Sequence, residues 1–357
     1  MFIDDYIDGL SFENPYSLAK KEKEKFLFNS LTKLHDFHLE SCTEYKNFSN
    51  AFKYLYSSDE TIYPFLPVRL FKNKNLKSTS DVFKTLNSSG TSGNVSKIYL
   101  DRKTASRQTR ILNEISKFYI GNKRLPMCII DSKEQLIDRT KFNARAAGIL
   151  GYSVFGRDHF YCLDENLDLK LNEFINFIKK YEDEAILFFG FTYLIWSKFT
   201  EKLAENKVKL KVHPDSLIIH GGGWKKLVDL NVSNDTFKSS LKKTINIQNV
   251  YNYYGMIEQV GSVFMECSNG MLHCSNYSDV IIRDKFTYKP LPIGHEGLIN
   301  VISILPTSYP GNSILTEDVG VLYGVDDCPC GNKGKYFQVS GRLPKAELRG
   351  CSDTRKV

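Results

Sequence analysis

An α/β fold is what the sequence predicts, and three observations predict it. Short apolar runs, Met127–Ile130, Ile186–Phe189 and Leu217–Ile219, each have the length of a buried strand. Longer amphipathic stretches lie among them: Leu167, Leu171, Phe174 and Ile178 recur at i, i+4, i+7 and i+11, the spacing of one helix face. Strand and helix in alternation predict a parallel, doubly wound sheet. After about Asn246 short strand-like runs and Gly/Pro turns take over, so a smaller β-rich lobe, mixed or barrel-like, is expected to follow.

The N-terminal part reads as helical, with Leu27, Leu31, Leu34 and His38 forming one apolar stripe beside a charged face. At 357 residues the chain is long enough for about two domains on length alone and for a large core. No apolar run approaches the roughly 20 residues of a membrane-spanning helix. The opening MFIDDYIDGL carries no basic residue before an apolar run, so no secretory leader is read there and a cytoplasmic location is expected.

Forty-eight basic against 41 acidic side chains give a net charge of +7, which favours anionic partners. The basic residues are interleaved with acidic ones, as in Lys20-Lys21-Glu22-Lys23-Glu24-Lys25, which reads as a solvated helix face and argues against nucleic acid. Eight cysteines in such a chain argue for reduced thiols, some metal-bound or catalytic, over a disulfide framework.

Four motifs carry chemistry. Ser88-Ser89-Gly90-Thr91-Ser92-Gly93 follows the strand-like Val82–Leu86 and precedes a second short strand at Lys97–Leu100. Small residues let backbone approach a polyphosphate, while hydroxyls and amides donate to its oxygens. The loop lacks the Gly-Lys-Ser/Thr ending of a Walker sequence, and taken alone it reads equally well as a hairpin turn. Asn252-Tyr253-Tyr254-Gly255-Met256-Ile257-Glu258 pairs an aromatic fit to stack on a base with a carboxylate fit to hold magnesium. Thr316-Glu317-Asp318-Val319-Gly320 offers a carboxylate for ribose hydroxyls, and Ser340-Gly341-Arg342 a cation. Each of these three, alone, is more often a surface turn or a satisfied charge. Their order changes the odds.

That order and spacing resemble the adenylate-forming superfamily, and within it the acyl-protein synthetase (LuxE-type) family. The segments that carry the family resemblance are Leu66-Pro67-Val68-Arg69-Leu70-Phe71-Lys72, Ile98-Tyr99-Leu100-Asp101-Arg102, Phe189-Gly190-Phe191-Thr192, His220-Gly221-Gly222-Gly223-Trp224-Lys225 and Leu348-Arg349-Gly350-Cys351-Ser352-Asp353-Thr354. The resemblance implies one large adenylate-forming domain over residues 1–340, parallel and mixed sheets flanked by helices plus a smaller β-rich lobe, with about 1–65 as a helical N-terminal part. Residues 341–357 would be a short tail carrying Cys351.

It also implies roles. Ser88, Ser89, Gly90, Thr91, Ser92 and Gly93 would hold the ATP phosphates, with Thr91 among the catalytic groups. Tyr254 would pack on adenine, Glu258 would bind Mg2+, Asp318 would hold the ribose and Arg342 the ribose or phosphate. Gly222 and Gly223 would floor the adenine and acyl pocket. The superfamily usually adds a C-terminal domain with a catalytic lysine, whereas here fifteen residues follow Arg342. Lys345, Arg349 and Lys356 are the cations on hand to replace that lysine, unless a partner supplies one or the step dispenses with it.

Cys351 stands between Arg349 and Arg355, and cations near a thiol raise its thiolate fraction. In the resembled family a C-terminal cysteine carries the acyl group as a thioester. Cys267, His273, Cys328 and Cys330 offer three sulfurs and one nitrogen, the donor set of a closed structural Zn2+ site. Similar positions occur in the phenylacetate-CoA-ligase-like branch. Cys274 competes as a ligand, and Cys42, Cys128 and Cys162 read as core thiols.

The leading expectation is an ATP-dependent ligase that turns a carboxylic acid, by this resemblance a fatty acid, into an acyl-adenylate and transfers it to Cys351, for delivery to an acyl-CoA reductase or acyltransferase partner. The alternatives are an acyl- or aryl-CoA ligase using free coenzyme A, and a non-adenylating, zinc-stabilised acyl carrier or scaffold.

Overall fold

The computed structural model describes residues 3–55, 64–88, 95–137, 144–223, 227, 230 and 232–343. The fold is mixed α/β, in two compact units: Met1–Phe118 with Gly255–Glu347 forms one, and Tyr119–Tyr254 carries the other. Among the described residues no helix is long and apolar enough to cross a membrane.

In the first unit, β1 (Leu66–Pro67) precedes a two-stranded antiparallel ribbon, β2 (Lys84–Asn87) with β3 (Lys97–Leu100). In the second unit five strands follow: β4 (Leu125–Ser132), β5 (Gly156–Leu163), β6 (Leu187–Phe191), β7 (Leu217–Gly221) and β8 (Asn249–Tyr254). They lie in the order β5-β4-β6-β7-β8, all parallel, as the alternation of strand and helix predicts. Every residue of β6 and β7 is buried, because helices cover both faces of such a sheet. This is why Leu187-Phe188-Phe189 and Leu217-Ile218-Ile219 are unbroken apolar runs instead of alternating ones.

The helix Leu171–Lys180 buries Phe174, Phe177 and Ile178. Leu167 is not part of it: it occupies the preceding turn with φ 64°, so the sequence period ran one turn too far. Phe174 is fully buried and meets Phe199 edge to face at 5.0 Å. Phe174→Ala is expected to cost about 3–5 kcal/mol in denaturant unfolding, since the cavity left adds to the lost transfer energy. The helix Asn234–Ile245 is bounded by Ser233, whose hydroxyl accepts from the Thr236 amide at 3.1 Å, and by Asn246 in the left-handed region.

In the first unit the remaining strands are β9 (Phe264–Glu266), β10 (Leu272–His273), β11 (Ser278–Arg283), β12 (Glu296–Ser303), β13 (Ser313–Val325) and β14 (Lys335–Arg342). Their pairings are antiparallel in the order β11-β12-β13-β14-β10-β9, and β1 adds parallel to β13. The lobe expected after Asn246 is thus of the mixed kind. The N-terminal stripe is confirmed in the helix Lys20–Ser41, where Leu27, Leu31, Leu34 and His38 are buried.

Arg107, on the helix Arg102–Ile120, is fully buried. It donates to Asp8 at 2.5 Å, to Asp4 at 2.7 Å and to the Leu305 carbonyl at 2.9 Å. This holds the first helix, Ile3–Asp8, to the interior of its unit.

Candidate functional site

The Ser/Gly segment, residues 88–93, lies between β2 and β3 in the chain. Ser88 closes its base: the Ser88 amide donates to the Ser96 carbonyl at 3.1 Å, and the Ser88 hydroxyl accepts from the Ser96 amide at 2.9 Å. Ser89, Gly90, Thr91, Ser92 and Gly93 lie outside the described residues.

Tyr254 is the half-buried last residue of β8, and Glu258 is buried in the 3-10 turn Ile257–Gln259. The two belong to different units, for the division falls at Gly255. The turn carrying Glu258 is held from two sides. Tyr309, itself buried, donates to the Glu258 carbonyl at 3.0 Å and accepts from Gln108 at 3.1 Å, and Gln259 donates to the Gly311 carbonyl at 2.7 Å. Gly261 makes this approach possible. A Cβ there would stand 2.6 Å from the Gln108 carbonyl oxygen, and the residue has φ +85°. Gln108 sits on the Arg102–Ile120 helix that directly follows β3, so the helix leading on from the ribbon also holds the Glu258 turn.

Asp318 and Arg342 are cross-strand partners in the β13–β14 register, and their charges pair at 3.3 Å. The structure therefore brings together the two residues for which the resemblance implies contacts to ribose and phosphate. The Thr316 hydroxyl ties β13 to β12 just ahead of Asp318. It donates to the Ile299 carbonyl at 2.8 Å and accepts from the Asp318 amide at 3.1 Å. Arg69, quoted in the sequence only as part of a resembling segment, forms an ion pair with the largely buried Glu317. The parallel pairing of β1 with β13 creates that contact, and no local pattern announces it.

In the second unit Gly222 and Gly223 form the exit of β7, with Gly222 at φ +100°, a conformation that glycine adopts without strain. The Gly221 position is equally restricted, since a Cβ there would lie 2.5 Å from the Tyr253 ring. Trp224 and Lys225 lie outside the described residues, as do Cys351, the rest of the 344–357 tail, and the candidate cations Lys345, Arg349 and Lys356.

The metal-ligand set converges. Ligand atoms of Cys267, His273, Cys328 and Cys330 all lie within 4.8 Å of one another. Cys267 and Cys328 sulfurs are 3.9 Å apart, and Cys330 sulfur is 3.3 Å from His273 Nε2. A tetrahedral site with bonds of about 2.3 Å places its sulfurs about 3.8 Å apart, so the spacing suits one soft dication.

Left-handed glycines follow both cysteine segments, Gly270 and Gly331. Their amides donate to the carbonyls of Cys267 at 2.9 Å and Cys328 at 3.0 Å, folding each segment back on itself. Burial pushes the Cys330 thiol up to about 12 and His273 down to about 4. The imidazole is therefore in the neutral, ligating form at neutral pH, and the thiols would give up their protons to a metal. Cys274, the competing ligand, is not among the four. It is fully buried, where burial and the Asp279 carboxylate raise its thiol pKa. Cys42, Cys128 and Cys162 are buried free thiols, as expected of core residues.

The chain is similar to known proteins over nearly its whole length. The family model "Acyl-protein synthetase, LuxE" matches residues 2–356. The long-chain-fatty-acid–luciferin-component ligase of Aliivibrio fischeri is 25% identical over 364 residues, covering 97% of this chain and 92% of the relative. The ligase of the same name from Vibrio harveyi is 24% identical over 360 residues, with the same coverage of 97% and 92%. Among solved structures, an open conformation of 2-hydroxyisobutyryl-CoA ligase in complex with 2-HIB-AMP and CoA superposes with a TM-score of 0.70 at 14% identity. It covers 97% of this chain and 76% of that one, which establishes the adenylate-forming fold. Because that family model spans residues 2–356, the chain belongs to the LuxE acyl-protein synthetase family and is an ATP-dependent acid–thiol ligase.

Proposed function

We propose that this enzyme activates a long-chain fatty acid as its acyl-adenylate and passes the acyl group to the thiol of Cys351. The fatty acid follows the names of the two bacterial relatives. The observation that carries the site is the facing of Asp318 and Arg342 across β13 and β14, inside a family match that runs nearly the whole chain.

In the first step a carboxylate oxygen attacks the α-phosphorus of ATP and pyrophosphate leaves. Two anions approach each other, so the barrier falls only where charge is neutralised. Glu258 would hold Mg2+, which would supply positive charge against the phosphates, Ser88 to Gly93 would donate to the phosphates, and Arg342 would stand beside the ribose or phosphate. Tyr254 would cover the adenine, Asp318 would accept from the ribose hydroxyls, and Gly222 and Gly223 would floor the pocket. In the second step the Cys351 thiolate attacks the acyl carbonyl and AMP leaves, giving a thioester for a reductase or acyltransferase partner. The four-ligand cluster would hold Zn2+ with a closed shell, tying the β9–β10 segment to the β13–β14 connection.

The test is acid-dependent exchange of pyrophosphate into ATP across short, long and aromatic acids. Exchange is expected to rise with chain length, and Asp318→Asn to raise the KM for ATP about tenfold, the scale of one lost charged hydrogen bond. Absence of exchange with every acid in the panel overturns the proposal.

A further inference from the structure

The strongest feature outside the expected set lies at the end of β7. Thr192, the fully buried first residue of the helix after β6, makes two hydrogen bonds with one hydroxyl. Its Oγ1 lies 2.9 Å from His220 Nδ1 and 3.0 Å from the Gly221 carbonyl oxygen. A carbonyl can only accept, so the hydroxyl hydrogen goes to Gly221. The imidazole must then donate from Nδ1, which fixes its tautomer.

Burial, with the nearby Lys238 charge, pushes His220 down to about 3, so the ring stays neutral. The Phe237 ring packs on it at 4.9 Å. The result is a relay from a fixed imidazole through a fixed hydroxyl to the last carbonyl of β7. One residue beyond that carbonyl the chain turns left-handed at Gly222. The helix that Thr192 opens continues as a π-helical stretch, Ile195–Thr200, a geometry frequent at functional sites.

We infer that Thr192 and His220 are positioning residues for the Gly222–Gly223 turn, holding its backbone where the adenine of ATP is received. Two requirements argue that the relay sets the turn's direction instead of only filling the core. The hydroxyl clamps backbone next to the turn, and Tyr253 packs so closely on Gly221 that a Cβ there would lie 2.5 Å from its ring. The inference rests on the reading that this turn floors the nucleotide pocket.

Pyrophosphate exchange on the full-length chain tests it. Thr192→Val keeps the shape and removes both hydrogen bonds. It is expected to raise the KM for ATP about tenfold with kcat within about twofold, while Thr192→Ser restores the KM to within about twofold. If Thr192→Val does not fold, Thr192→Cys, a weak donor at the same place, is expected to fall between the two.

The KM effect should be the same at pH 6 and pH 9, because the imidazole stays neutral throughout. Equal KM values for the Val and Ser variants, or a loss confined to kcat, would overturn the inference. Gly223→Ala separates it from the reading beneath it. A Cβ there meets nothing within 4 Å, so the fold tolerates it, and only a ligand on the turn would feel the methyl. If Gly223→Ala raises the KM for ATP and Thr192→Val does not, the relay is wrong and the pocket floor stands. If neither variant moves it, the floor reading falls and takes the relay with it.

Discussion

Cys351→Ser is expected to leave pyrophosphate exchange within about twofold of the unaltered chain while abolishing covalent labelling by radioactive fatty acid. Adenylation requires no thiol, since its nucleophile is the substrate carboxylate. Transfer does require one: at neutral pH a serine hydroxyl without an adjacent base is a far weaker nucleophile than a thiolate whose sequence neighbours include Arg349 and Arg355. Retained labelling in the serine variant would remove Cys351 as the acyl carrier. Formation of soluble acyl-thioester on addition of coenzyme A, undiminished in the variant, would assign the acceptor role to the free cofactor.

The second large effect is expected at the cysteine–histidine cluster. Purified protein should hold about one equivalent of zinc by elemental analysis, and Cys328→Ala should lose it. Free energies of structural zinc binding are on the order of 10 kcal/mol in small domains, and only part of that is recovered when the surrounding sheet persists. A loss of several kcal/mol would lower Tm by roughly 10 °C in a chain of this size. The same shift is expected when the unaltered protein is treated with a strong chelator. A chain that carries no zinc, or a Cys328→Ala variant that melts where the unaltered protein does, would show the convergence of the four ligands to be without a metal.

The parallel sheet was legible because β6 and β7 are buried on both faces, so their apolar residues are contiguous and stand out from the polar stretches around them. The convergence of Cys267, His273, Cys328 and Cys330 was legible because each pair is close in sequence, and the folding of the chain had only to bring two short segments together. Asp318 and Arg342 could be named from their motifs, but not their mutual contact, which depends on the antiparallel register of β13 and β14.

The Thr192–His220 contact was hidden for a similar reason. Parallel pairing sets Gly190 beside His220 and Phe191 beside Gly221, and Thr192 reaches across from the residue after that register ends. Gln108 and Tyr309 were equally silent, since a neutral amide and a phenol become positioning groups only when folding closes water off from both. Leu167 shows the opposite failure. An apolar side chain can keep the helical period while its backbone already turns away.

The guanidinium of Arg107 finds its counter-charges 99 and 103 residues earlier in the chain, at Asp8 and Asp4. A cation with no exposed surface cannot go under before its anions arrive, so the interior of this unit closes only once the first helix has come home across that long span. That short helix acts as an internal counter-ion. A chain begun after Gly9 would have to seal an uncompensated charge inside, at a cost of about 3–5 kcal/mol, or leave that part of its core open to water.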